Sequence, residues 1–203
     1  MNLTPVLLGQ ISGIIAVVQV IPYIISIFWG TTRPSRASYA IWSVIQTVSA
    51  VSYIASGATD TKWTPIVLAI TALIIFGISL KYGMGGFNKF DIVCLVIATI
   101  AILLWVTTSN PALAVYTSLL AGSIAYLPTI KKAYLLPNTE NTLSWTLFSI
   151  AILLNVFALT TLDPVIALPP IVSLLLSGTV AVLLLFPRNR KLSKHLNKRA
   201  PIR

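Results

Sequence analysis

The 203-residue chain is 57% hydrophobic and only 9% charged, whereas soluble domains are about half apolar and about a quarter charged. That balance excludes an ordinary soluble enzyme or domain and indicates a polytopic membrane protein. The net charge of +10 does not imply nucleic acid, because half of the 14 Lys and Arg follow Phe186 instead of covering a folded face.

The N-terminus has no basic residue ahead of its first apolar run, and that run is too long for a signal-peptide core, so it reads as a retained first helix. About 20 apolar residues cross a bilayer. Seven such spans are expected at roughly 5–29, 38–56, 65–82, 91–108, 111–133, 143–161 and 164–186. Thr4-Pro5, Thr64-Pro65, Asn110-Pro111 and Asp163-Pro164 each pair an N-cap residue with proline at the first helical position. They mark the first, third, fifth and seventh spans and therefore one face of the membrane.

Every basic residue except Lys62 falls on the other face: Arg33, Arg36, Lys81, Lys89, Lys131, Lys132 and the tail. Lys and Arg favour the cytosolic side, so the N-terminus is expected outside and the C-terminus in the cytosol, in a plasma (inner) membrane. Trp63 at the outer edge, with Trp29, Tyr82 and Tyr134 at the inner edge, fits aromatic belts. The tail run Arg188, Arg190, Lys191, Lys194, Lys198, Arg199 and Arg203 suits anionic lipid headgroups. Cys94 stands alone, which excludes an internal disulfide and a cysteine-based metal site.

The order of landmarks repeats. Ile21-Pro22-Tyr23-Ile24-Ile25 leads through Arg33-Pro34-Ser35-Arg36 to Ser38, Trp42 and a second span. Leu127-Pro128-Thr129-Ile130 leads through Pro137-Asn138-Thr139-Glu140 to Ser144, Trp145 and the sixth. Each copy then reaches a helix opening with Pro65 or Pro164. Three spans reverse the chain's direction, so an intervening fourth span makes the two copies parallel, related by an axis along the membrane normal. The expected organisation is a first three-helix repeat over 1–82, a linker transmembrane helix over 83–110, a second repeat over 111–186 and a basic cytosolic tail over 187–203. The expected fold is thus all-α, two parallel three-helix bundles joined by a linker that is nearly all apolar apart from Cys94 and Thr99.

This 3+1+3 plan, the N-outside orientation and a proline in the inner half of each repeat's first helix resemble the PQ-loop superfamily, which includes SWEETs, their half-sized bacterial relatives and cystinosin-like carriers. The resemblance covers about residues 5–186. Where the family motif has Gln after Pro, this chain has Tyr23 and Thr129. The resemblance implies a transporter working by alternating access, with Pro22 and Pro128 as hinges of an inner gate. Read from the residues alone, each proline removes a helical hydrogen bond and bends its helix, which serves either gating or packing. Pro169-Pro170 has no counterpart in the third helix and reads as a kink.

Residues three or four apart share a helix face. Trp42, Gln46, Ser49 and Tyr53 form such a stripe, as do Ser12, Ala16, Gln19, Tyr23 and Ser26, and Ser118, Gly122, Tyr126 and Thr129. In the sixth span Asn155 is rotated off the face of Trp145 and Ser149. Single Ser and Thr residues are satisfied by neighbouring helices. Gln19, Gln46 and Asn155 are costlier to hide, and with Trp42 and Trp145 they either pack between helices or line a solute pathway. Gly9 and Gly13 permit close helix packing or contact between two copies in a homo-oligomer.

Asp60, Asp91, Glu140 and Asp163 all lie at span ends or in loops, where capping accounts for them, and the sole His195 is in the tail. No embedded acid is available for a proton relay. No catalytic constellation, metal site or cofactor is expected, so the chain does not read as an enzyme. What remains is a facilitator of a small neutral or zwitterionic solute, or a receptor or sorting protein that holds a ligand without passing it.

Overall fold

The computed structural model describes residues 4–34, 36–83, 89–108 and 110–187. Among these there are helices and turns and no strand: α1 (Pro5–Val18), α2 (Val20–Phe28), α3 (Arg36–Ala55), α4 (Trp63–Tyr82), α5 (Lys89–Thr108), α6 (Pro111–Leu135), α7 (Thr142–Phe157) and α8 (Pro164–Leu185), with a 3₁₀ turn at Pro137–Thr139. The basic tail from Arg188 onward lies outside the described residues, as do the side chains of Asp91, Cys94, Pro128 and Lys131.

Three of the four expected caps form. Thr4 accepts from Leu7 N–H at 3.3 Å, Asn110 from Ala112 and Leu113 at 3.0 and 3.3 Å, and Asp163 from Val165 at 2.8 Å. Thr64 is the exception. α4 starts at Trp63, which puts Thr64 inside the first turn, and its hydroxyl meets Ser12 Oγ at 2.6 Å instead. The first expected span is two helices in series, because Pro22 has no N–H to offer the Val18 carbonyl four residues back and the chain turns at Gln19.

Four segments, Pro5–Phe28, Trp63–Tyr82, Pro111–Leu135 and Pro164–Leu185, are long and apolar enough to cross a membrane. They turn large apolar side chains outward: Ile14, Val17 and Ile21 on the first, Ile70, Leu73 and Ile74 on the second, Leu120 and Leu127 on the third, Leu175 and Val182 on the last. Water would penalise so wide an apolar surface, whereas lipid matches it. The polypeptide is an all-helical, membrane-embedded protein.

The packing follows small residues and cross-helix hydrogen bonds. Ser12 Oγ donates to the Ala151 carbonyl at 2.6 Å, and Asn141 Nδ2 donates to the Pro22 carbonyl at 3.2 Å, so α1–α2 runs antiparallel to α7. Gly9 lies against the Asp60 carbonyl and Ala158, and Gly13 against Trp63, where no side chain would fit comfortably. This glycine pair is therefore used within one chain. α3 runs antiparallel to α6, with Ile45 against Ala121 and Gly122 and with Tyr53 against Val115. α4 packs on α1 and α3, α8 on α6 and α7, and α5 lies outside on α3 and α6. One apolar cluster, Val20, Tyr23, Ile27, Tyr39 and Ile75, joins α2, α3 and α4. Another, Ala133, Trp145, Phe148, Ile152, Val180 and Leu184, joins α6, α7 and α8.

Candidate functional site

Between these two clusters lies a cavity with about 570 Å³ of atom-free space. α2 and its entry turn supply Gln19 and Tyr23; α3 supplies Tyr39, Trp42 and Gln46; α7 supplies Ser144, Trp145 and Phe148; α6 adds Tyr126. The aromatic rings form an unbroken chain of contacts around it, Tyr23 to Tyr39, Trp42, Tyr126, Trp145 and Phe148, with successive centroids 5.3–6.2 Å apart. Edge and tilted contacts at this spacing are attractive and hold each ring at a fixed angle. These six aromatic side chains make up much of the cavity lining.

The lining also holds two carboxamides. Gln19 and Gln46 line the cavity, and neither side chain makes a hydrogen bond to the described residues. A free carboxamide offers both donor and acceptor to a guest. Gln19 sits where Pro22 interrupts the helix, so the bend and the binding wall share a residue.

A second cavity, with about 420 Å³ of atom-free space, shares Gln46 and Leu68 with the first and continues past Ser49, Tyr53, Thr61, Thr64, Asn155 and Ser173. Asn155 is 3% exposed. Its Nδ2 donates to the Thr61 carbonyl at 3.3 Å, and its Oδ1 has no partner. Tyr53 closes this end by donating to the Ile166 carbonyl at 2.9 Å. That carbonyl is the one Pro170 leaves without its helical donor. The missing N–H of Pro170 thus leaves free the acceptor that ties α3 to α8. A third cavity opens sideways from Gln46 toward Ser118, Gly122 and Ser123, and there the buried Ser118 hydroxyl is also unpartnered.

The structure brings together Gln19, Trp42, Gln46 and Trp145, and places Asn155 in the adjoining cavity. The α3 stripe Trp42, Gln46, Ser49 and Tyr53 runs along both. Pro22 lies in α2 and Pro128 in α6, but α6 continues through Pro128 without the interruption seen at Gln19.

Sequence reasoning missed Tyr39 and Phe148 and the parts played by Glu140 and Asn141. Tyr39 and Phe148 belong to the aromatic chain, and the register that sets Pro22 on Pro128 and Ser38 on Ser144 pairs Tyr39 with Trp145 and Trp42 with Phe148. Applying that register strictly, instead of matching Trp42 to Trp145 by residue type, would have found both. Glu140 corrects the capping account: the α7 cap is Asn141, whose Oδ1 accepts from Ser144 N–H at 2.9 Å. The Glu140 side chain is 6% exposed, pairs with Lys132 at 2.9 Å and accepts from Trp145 Nε1 at 3.1 Å. Adjacent polar residues at a helix start gave no signal of which one caps.

No titratable acid or histidine lines these three cavities among the described residues, and those residues hold no cluster of His, Cys, Asp and Glu suited to a metal. The arrangement offers aromatic side chains and neutral hydrogen-bonding groups. Comparisons with protein-family models, curated proteins and solved structures find no match.

Proposed function

We propose that the protein is a SWEET/PQ-loop-like membrane carrier that facilitates movement of a small neutral or zwitterionic solute by alternating access. In this reading α1–α2 is one bent span, and seven transmembrane helices form two parallel three-helix bundles, α1–α2 with α3 and α4 and then α6, α7 and α8, joined by α5. The N-terminus is outside and the C-terminus cytosolic. The observation that carries the reading is the pair of cavities meeting at Gln46 and Leu68, which lie in line between the two sets of helices. A site between repeats near the middle of the membrane is where such carriers hold their solute.

Two further observations support it. Exchanging the sets leaves the packing pattern unchanged, since the second helix of each packs on the first helix of the other, α3 on α6 and α7 on α1. The internal register also places like with like at the cavities: Tyr39 with Trp145, Trp42 with Phe148, and Ser49 with Asn155. The reading of a facilitator in place of an ion-coupled pump is supported by cavity linings that, among the described residues, hold no carboxylic acid or histidine.

The test is uptake of labelled sugars, amino acids and nucleosides by the purified protein in liposomes without an ion gradient. Saturable uptake of one class, accelerated by the same solute on the opposite side, is expected. A protein that retains a ligand yet moves nothing in the panel is a receptor or sorting protein instead.

A further inference from the structure

We infer that Asn141, anchored by Glu140, is a latch that closes the aromatic cavity at one end by tying α7 to the bend in the first helix. Asn141 uses its two side-chain atoms for different tasks. Oδ1 accepts from the N–H and hydroxyl of Ser144 at 2.9 and 3.1 Å, which starts α7. Nδ2 reaches across to the Pro22 carbonyl at 3.2 Å. The contact spans the two walls of the cavity, because α2 lines it with Tyr23 and α7 lines it with Ser144 and Trp145 within one turn of Asn141.

Glu140 holds the latch residue in place. Its Oε1 takes Lys132 of α6 and its Oε2 takes the Trp145 indole N–H, so the residue before the latch is fixed to two helices at once. Charge-assisted hydrogen bonds of this kind are stronger than neutral ones and are directional. The latch itself is a single neutral hydrogen bond, worth about 1 kcal/mol. A strong anchor beside a weak crossing bond is what a reversible closure requires: the weak bond breaks and the anchor keeps its donor in range. Glu140 is thus a positioning residue, acting on a solute only through Trp145 and Asn141. The role given to opening rests on the carrier reading, whereas closure is tested without any solute.

The experiment uses the full chain in lipid nanodiscs, with Cys94→Ser and a reporter Thr71→Cys in the cavity wall. The rate of modification by a cationic methanethiosulfonate is measured. Asn141→Asp keeps an acceptor for Ser144 and removes the donor to Pro22; modification is expected to accelerate about fivefold, the value of one neutral hydrogen bond. Asn141→Ser, also a good cap but too short to cross, should match it and covers the case in which the aspartate variant fails to fold. Glu140→Ala is expected to accelerate modification by a smaller factor, and Glu140→Gln, which keeps an acceptor for the indole, by less again. Equal rates in the reference and in the folded Asn141 variants overturn the latch, as does a reporter that reacts in the reference as fast as in denatured protein. A Glu140→Ala rate equal to the reference removes Glu140 from it. Accelerated labelling without transport of any solute would uphold the latch and defeat the carrier reading; the reverse would do the opposite.

Discussion

Buried polar side chains in lipid are costly unless bonded, and those of this chain fall into bonded and unbonded groups, the buried hydroxyls of Ser52 and Ser177 being unbonded away from the three cavities. Ser12, Ser26 and Tyr53 are bonded to neighbouring atoms. Gln19, Gln46 and the Oδ1 of Asn155 are not, and all three face cavities. An unpaired buried acceptor costs about 1–3 kcal/mol, so a guest that donates to Asn155 recovers that cost. For whichever solute the liposome panel identifies, Trp42→Ala should weaken binding about tenfold by removing a stacking face. Asn155→Ala should weaken it by a smaller factor, and both should leave the maximal rate near normal; a lowered rate at unchanged affinity would place these residues elsewhere in the cycle. Gly9 gives a purely structural contrast. A Cβ there would collide with the Asp60 carbonyl, so Gly9→Ala should destabilise the fold by about 2 kcal/mol, within the usual cost of overpacking. Reversible unfolding in mixed detergent would read it, and an unchanged midpoint would contradict the close approach.

At the scale of the helix, proline has two outcomes here. Pro22 interrupts its helix at Gln19, while α8 runs through Pro169-Pro170 because Tyr53 supplies the donor that the Ile166 carbonyl lost. Pro22→Ala should restore a continuous helix and leave folding intact. On the carrier reading, in which the bend carries a cavity wall that moves, solute turnover should nevertheless fall about fivefold or more at near-normal affinity. Normal turnover in a folded Pro22→Ala protein would demote the bend to packing. Part of this level was legible in the sequence: four spans, three caps and the interruption ahead of Pro22 follow from apolar length, Pro and short polar side chains. Thr64 was not, because a hydroxyl one residue into a helix obeys whichever partner is nearer, and only the fold brings Ser12 to it. Glu140 was hidden for the same reason: its partners Lys132 and Trp145 lie on two different helices.

Across the whole molecule, α3 meets α6 and α7 meets α1, the pairing that the proposed two sets of helices require. The order of landmarks suggested a repeat but not the chain of aromatics, since Tyr39 and Phe148 carry no polar signal and become conspicuous only when the register is applied residue by residue. The candidate wall residues Gln19, Trp42, Gln46 and Trp145 were readable because amides and indoles are costly to hide in lipid; that Asn155 belongs to a separate cavity depends on the rotation of α7. Gln46 belongs to both cavities, and it is the position from which alternating access is read most directly. With Cys94→Ser and Gln46→Cys in sealed vesicles of known orientation, a membrane-impermeant thiol reagent is applied to one face and then, in separate vesicles, to the other. A carrier predicts modification from both faces; modification from one face only would contradict it.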